Sequence, residues 1–395
     1  MPRVPFDFER RRPYLSPPFP DSEYESRIDR VLVEMQRAGL DALIVYANVS
    51  SYASVSYLCG LTPVHGNAFV VLHADRRMMA VMDGMLHCEP MHSMAWTCRL
   101  PDLRVCQGPL YGDPPEKVAT LAADAARGAK SVGISGYAML PALLQNAILS
   151  VHQTAEPADQ VMRAVRLIKS PAEIALMHQA GAISDRAWEA VFATIDEGIE
   201  DYTVAAAAVG KMRGLGATEA FETCVVTGKP AGLKHGYPRG ARFAKGDMVF
   251  LDLGANYRGY CSDMSRCTYI GGPARGNARD LLELGLELYH KGLEVIGPGV
   301  PVRRVCDELE ACAARHTLGK DFCAEGFGHG IGLDLFEGPG GLFNGSKAVL
   351  EPGMTVAYEP MVVVEGLGTG VVEDTILITD KGYEKFNNYR VKTWD

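Results

Sequence analysis

The chain has 395 residues, 47% hydrophobic and 22% charged, which is enough for two or three domains with sizeable cores. A formal net charge of −9 argues against a nucleic-acid partner or an anionic membrane surface. No apolar run reaches the roughly 20 residues that span a bilayer. The ten cysteines include no Cys-x-x-Cys pair, so they read as reduced, buried thiols of a cytoplasmic protein rather than as a disulfide framework or zinc knuckle.

Residues 1–20 carry six prolines and read as an irregular arm. Arg10, Arg11 and Arg12 have the look of a twin-arginine leader, but PYLSPPFPDS follows where an apolar segment would be needed, so no signal peptide is expected. SEYESRIDRVLVEMQRAGL (22–40) has helical spacing and ends near Gly39. DALIVY (41–46) is a short apolar strand. NAFVVL (67–72) and MMAVMD (78–83), around the turn-like ADRR, read as a hairpin, and SVGIS (131–135) is a further strand. This alternation predicts a small α/β domain over 21–160. The texture changes between 155 and 168. Ser170, Pro171 and Glu173 have the pattern of an N-cap, a first-turn proline and a capping box. The second domain, 161–395, continues with helices near 201–214, 277–296 and 302–316. Strand pairs come between and after them, in MVFLDLGANYRGYCSDMSRCTYI (248–270), and in MTVAYEPMVVV (354–364) with GVVEDTILIT (370–379).

Those strand pairs carry acidic residues where apolar ones belong. Asp252 and Asp263 flank the turn-like ANYRGY, so an antiparallel hairpin would bring both to one face. Val249, Phe250, Leu251 and Leu253 argue for burial over an exposed sheet edge. Glu359 and Glu373 repeat the pattern around EGLGTG. Four buried carboxylates without matching lysines call for cations. Their charge suits two divalent ions with a bridging hydroxide, and His329 in FGHGIGLDLFEGP (327–339) adds a nitrogen ligand. Carboxylates with one imidazole suit manganese, cobalt, iron or zinc. A metal pair about 3.5 Å apart would activate the water between them. The glycines beside His329 are expected to let the backbone run close to that centre.

The order Asp252, Asp263, GHGIG with His329, Glu359 in YEP and Glu373 in VEDT resembles the pita-bread metallohydrolases, the creatinase, prolidase and aminopeptidase P relatives. The resemblance implies an α+β architecture, with a small α/β creatinase-like N-terminal domain followed by a C-terminal pita-bread domain. It implies that Asp252 binds one metal, that Asp263 and Glu373 bridge, and that His329 and Glu359 bind the other, with manganese favoured over cobalt, zinc or iron. It implies that Glu359 shuttles a proton to the leaving group and that His235, in LKHGYPRG, steadies the oxyanion. A homodimer is the expected assembly.

Three positions depart from the peptidase pattern. Phe336 stands where a substrate-binding histidine is usual, Val371 where an arginine is common, and Met361 where a glycine follows the proline. Phe336 makes the substrate wall apolar, so ordinary Xaa-Pro dipeptides are expected to be poor substrates. The leading reading is a dinuclear Xaa-Pro dipeptidase or aminopeptidase P-like hydrolase, its bridging hydroxide attacking an amide carbonyl of a small peptide or amide-like substrate. The alternatives are a hydrolase or lyase of a small non-peptide molecule, creatinase- or ectoine-hydrolase-like, and a non-catalytic binding module.

Overall fold

A computed structural model describes residues 12–63, 65–83, 98–109, 112–228, 235–322 and 326–395. The chain divides into two compact units, one ending at Arg166 and one starting at Leu167. Most of the proline-rich arm, residues 1–11, lies outside the described residues. Its remainder holds a short 3-10 turn, Arg12–Tyr14. Among the described residues eight cysteines are free and buried, and no helix is long and apolar enough to cross a membrane.

The first unit opens with the helix Asp21–Arg37. Its strands are β1 (Ala42–Asn48), β2 (Asn67–His73), β3 (Met78–Asp83), β4 (Leu103–Cys106), β5 (Val132–Ser135) and β6 (Glu156–Pro157), in the order β4-β3-β2-β1-β5-β6. The hairpin pairs β2 with β3 antiparallel, Phe69 facing Val81, and β1 runs parallel to β5. Ile44, Phe69, Val81 and Ile134 pack with Ala119, Ala122, Leu144 and Ile148 from the helices Lys117–Ala125 and Ala142–Val151. β1 is apolar at every interior position because it is covered on both faces.

The second unit starts on the helix Pro171–Thr194. Ser170 accepts from the Glu173 N–H, and Glu173 accepts from the Ser170 N–H, so both halves of the capping box form. The helices Asp201–Gly214, Gly276–Val295 and Val302–Ala313 follow. The strands are β7 (Thr218–Glu219), β8 (Cys224–Thr227), β9 (Met248–Leu253), β10 (Ala255–Tyr257), β11 (Tyr260–Cys261), β12 (Met264–Tyr269), β13 (Gly328–Gly330), β14 (Glu337–Gly341), β15 (Thr355–Tyr358), β16 (Val362–Val364), β17 (Gly368–Gly370), β18 (Asp374–Thr379) and β19 (Gly382–Lys385). They form sheets ordered β11-β10-β7, β12-β9-β8 and β14-β13-β15-β18-β19, with β16 and β17 as a separate hairpin.

Strand β9 shows how this unit is layered. Val249, Leu251 and Leu253 pack with Trp188, Val191 and Met212 from the first two helices. Met248 and Phe250 pack the other way, with Leu281, Leu288, Val305 and Tyr358. Alternation along the strand therefore puts Asp252 on the second face, inside the unit. The reading of 354–364 and 370–379 as one continuous strand pair needs correction. Each run is broken in two. β15 pairs with β18 and β16 with β17, and the breaks at 359–361 and 371–373 hold Glu359 and Glu373.

Candidate metal centre

Asp252 sits near the end of β9, opposite Ser265 of β12, and Asp263 immediately precedes β12. The turn between them is a two-residue hairpin at Arg258 and Gly259, both at positive φ, which the Asn256 side chain steadies by accepting from the Gly259 N–H. His329 lies on β13, opposite Ala357 of β15. Glu359 is held just past β15 by its N–H donating to the Phe327 carbonyl.

These elements bring ligand atoms of Asp263, His329 and Glu373 within 4.8 Å of one another, all buried. His329 Nε2 is 3.4 Å from Asp263 Oδ2 and 3.9 Å from Glu359 Oε1. Asp252 is 5% exposed and faces the charges of Asp263 and Glu359. The geometry is thus a tight trio, Asp263, His329 and Glu373, flanked by Asp252 and Glu359. His329 Nδ1 lies 3.1 Å from the Gly330 carbonyl, which can only accept. That contact puts the hydrogen on Nδ1 and leaves the Nε2 lone pair for a cation.

Three buried oxygens in this pocket, Asp252 Oδ1, Asp263 Oδ1 and Glu373 Oε1, have no hydrogen-bond partner. Buried carboxylate oxygens left this way are costly unless something binds them. Burial, then the charges of Asp263 and Glu359, hold the Asp252 carboxyl well above the usual carboxylate range. Burial and the charges of Asp263, Glu359 and Asp252 do the same to Glu373. Burial pulls the His329 imidazole down, but the hydrogen bond and charge of Asp263, with Glu359, raise it overall. Orphaned carboxylate oxygens that repel one another, together with one imidazole, make a donor set that suits a divalent cation.

His235 stands beside this group. Its Nε2 is 3.8 Å from Asp252 Oδ2, its side chain is 55% exposed, and its ring meets Phe250 edge-on. Its backbone is left-handed at φ 45, a conformation in which histidine is over-represented among non-glycine residues. Phe336 is 69% exposed, and its ring packs on His329 with centroids 4.3 Å apart.

The glycines flanking His329 permit a close contact between strands. A Cβ on Gly328 would fall 1.9 Å from the Ala357 carbonyl oxygen, and one on Gly330 would fall 2.2 Å from that of Gly338. A Cβ on Gly332 would strike the Glu337 carboxylate, which pairs with Lys169 at 2.5 Å. The close approach is between neighbouring strands, so these glycines press β13 into its sheet.

Sequence reasoning passed over the wall behind the pocket. Arg266 and Asp374 are fully buried and paired at 2.8 Å, and Asp374 also accepts from Tyr289 and pairs with Lys385. The signal was present in the sequence. Arg266 interrupts the apolar run MSRCTYI, and Asp374 adjoins Glu373.

With the geometry in place, known proteins give it a context. The model for metallopeptidase family M24 matches residues 175–380, and that for the creatinase/prolidase N-terminal domain matches 27–168. An Xaa-Pro dipeptidase of Pyrococcus horikoshii is 28% identical over 366 residues, 91% of this chain and 96% of that protein. An uncharacterised peptidase of Bacillus subtilis is 33% identical over 230 residues, 57% of this chain and 64% of that one. Among solved structures, the prolidase from Pyrococcus horikoshii superposes with a TM-score of 0.80 at 25% identity, covering 93% of this chain and 99% of its own. The Xaa-Pro dipeptidase from Bacillus anthracis gives 0.80 at 25%, covering 94% and 99%. The two units are therefore a creatinase-type N-terminal domain and a pita-bread domain, and the chain belongs to metallopeptidase family M24 as an enzyme of that type.

Proposed function

We propose that the protein is a two-metal hydrolase of small peptides, of the Xaa-Pro dipeptidase or aminopeptidase P kind. The observation that carries this reading is the three orphaned buried carboxylate oxygens of Asp252, Asp263 and Glu373, the last two residues grouped with His329. In this reading Asp252, Asp263, His329, Glu359 and Glu373 hold the cations, with manganese favoured over cobalt, zinc and iron. When bound, two such ions supply a water activated near neutral pH and positive charge for a polarised carbonyl.

The chain's own residues do the rest. Glu359, at the edge of the trio, takes the proton from the attacking water and delivers it to the departing nitrogen, as a general base and then acid. His235 is exposed beside Asp252 and donates to the oxygen on which charge develops. Phe336 offers the substrate an aromatic wall in contact with His329. That wall favours an apolar group next to the scissile bond and gives no hydrogen bond to a peptide terminus.

A turnover screen of the manganese-loaded protein tests the proposal. Xaa-Pro dipeptides, longer Xaa-Pro peptides, creatine and cyclic amidines are presented side by side. The expected outcome is amide hydrolysis of Xaa-Pro substrates, abolished by a chelator and restored by Mn²⁺. Turnover confined to creatine or the amidines would move the site to non-peptide chemistry. Full metal occupancy without any turnover would make it a binding module.

A further inference from the structure

Two short segments meet behind the cation pocket, 263–266 and 373–375, and two residue pairs across them, Asp263 with Thr375 and Ser265 with Glu373, bond in both directions. The Asp263 N–H donates to Thr375 Oγ1 at 2.8 Å, and the Thr375 hydroxyl donates back to the Asp263 carbonyl at 3.0 Å. The Glu373 N–H donates to the Ser265 carbonyl at 3.1 Å. The Ser265 hydroxyl donates to Glu373 Oε2 at 2.6 Å, in the range of charge-assisted hydrogen bonds. Arg266 closes the lock by donating to the Ser265 carbonyl at 2.9 Å, to the Glu373 carbonyl, and to Asp374 Oδ1. Ser265 is fully buried and sits opposite Asp252 across β9 and β12, so its side chain shares a face with a second acid of the pocket.

The two oxygens of Glu373 therefore differ. Oε2 has a fixed donor in Ser265, and Oε1 has no partner in the protein. A carboxylate free to rotate about its terminal bonds would lose that freedom on meeting a cation. One already gripped on one oxygen presents the other at no such cost.

We infer that Ser265 is a positioning residue for the cation centre, gripping Glu373 by Oε2 so that Oε1 is held ready before any ion arrives. The inference rests on the metal reading above and goes beyond it. It assigns a role to a side chain that is not itself in the ligand set. Outer partners of metal-binding groups characteristically change affinity by about 10- to 100-fold when removed.

Equilibrium dialysis of the metal-free full-length protein against Mn²⁺ alone, with bound metal quantified directly, tests it without reference to turnover. Ser265→Ala is expected to bind Mn²⁺ about 10-fold more weakly than wild type, while Ser265→Thr, which keeps the hydroxyl, stays within about 3-fold. The melting temperature of the metal-free Ala variant is expected to stay close to that of wild type. If the Ala variant does not fold, Ser265→Cys replaces it, and its weak S–H donor should give an intermediate affinity. Wild-type affinity in the Ala variant, or equal weakening in the Ala and Thr variants, overturns the inference and leaves the metal reading standing. A wild-type protein that takes up neither Mn²⁺ nor Zn²⁺ overturns both.

Discussion

Glu373 and Asp374 are neighbours in the chain and both are buried, yet they belong to opposite electrostatic surroundings. Asp374 lies in the wall, where Arg266, Lys385 and the Tyr289 hydroxyl satisfy it from three directions. Glu373 lies in the pocket, where one hydroxyl meets Oε2, Oε1 meets nothing from the chain, and the nearest charges are those of Asp263, Glu359 and Asp252. Burial of a carboxylate is thus no sign of function by itself. The protein supplies the counter-charge at the wall; at the pocket the proposed cations would supply it.

Removing the wall's cation should have the largest effect. Arg266→Ala removes one of the two cations paired with Asp374 and frees four backbone carbonyls, those of Ser265, Glu373, Tyr389 and Arg390, so a loss of about 3–5 kcal/mol in urea unfolding is expected. A loss below about 1 kcal/mol would erase the distinction between the two regions. Next comes the side of the pocket that carries no ligand. His235→Ala should lower kcat about 10²-fold and leave metal content unchanged. If metal content falls with activity, His235 is a ligand and the oxyanion role is wrong.

Phe336 sharpens the comparison at the pocket's mouth. Phe336→His should raise kcat/KM on Xaa-Pro dipeptides about 10-fold, within the roughly 1–3 kcal/mol an apolar contact commands. Wild-type values already at about 10⁴ M⁻¹s⁻¹ or more would show that the ring does not limit peptide turnover. The smallest effect concerns pH. Asp252 and Glu373 have carboxyls raised above their ordinary values by burial and neighbouring charge. Their favourable contribution is complete below the ordinary carboxylate range and is lost as pH rises through the raised values. Metal-free wild type should therefore lose melting temperature with rising pH more steeply than metal-free Glu373→Gln. Asp263→Asn, which removes a charge facing Asp252 and Glu373, should flatten the same slope in the metal-free protein while releasing metal more readily. Parallel pH slopes for wild type and Glu373→Gln would show that the pocket carries no strain from repulsion.

The parts of this picture that were legible in the sequence are those with a local signature. The capping box at Ser170 and Glu173, the hairpin around ADRR and the acidic residues set among apolar strand positions follow from period and turn chemistry. What escaped depends on distant partners. Nothing near Arg266 names Asp374, which is more than a hundred residues away, as its counter-ion. Nothing near Glu359 shows that its strand breaks and changes partner, because sheet membership is decided by register with β18 and β17. The glycines of GHGIG are visible in the sequence, but the strands they meet are not. A missing side chain announces a close approach without saying what approaches.

That last feature bears on how the enzyme can change its substrate. Gly328 and Gly330 are locked against the backbone of neighbouring strands, and Gly332 against the Lys169–Glu337 pair, so no side chain can be grown from β13 to reshape the floor beneath His329. Phe336 stands seven residues beyond His329, and it alone among its chain neighbours has most of its surface in solvent. A change there alters the mouth without disturbing the sheet. Selection or engineering toward a new substrate therefore has an open route at the rim and a closed one at the floor, and divergence in specificity should accumulate where Phe336 stands while the strand beneath it stays fixed.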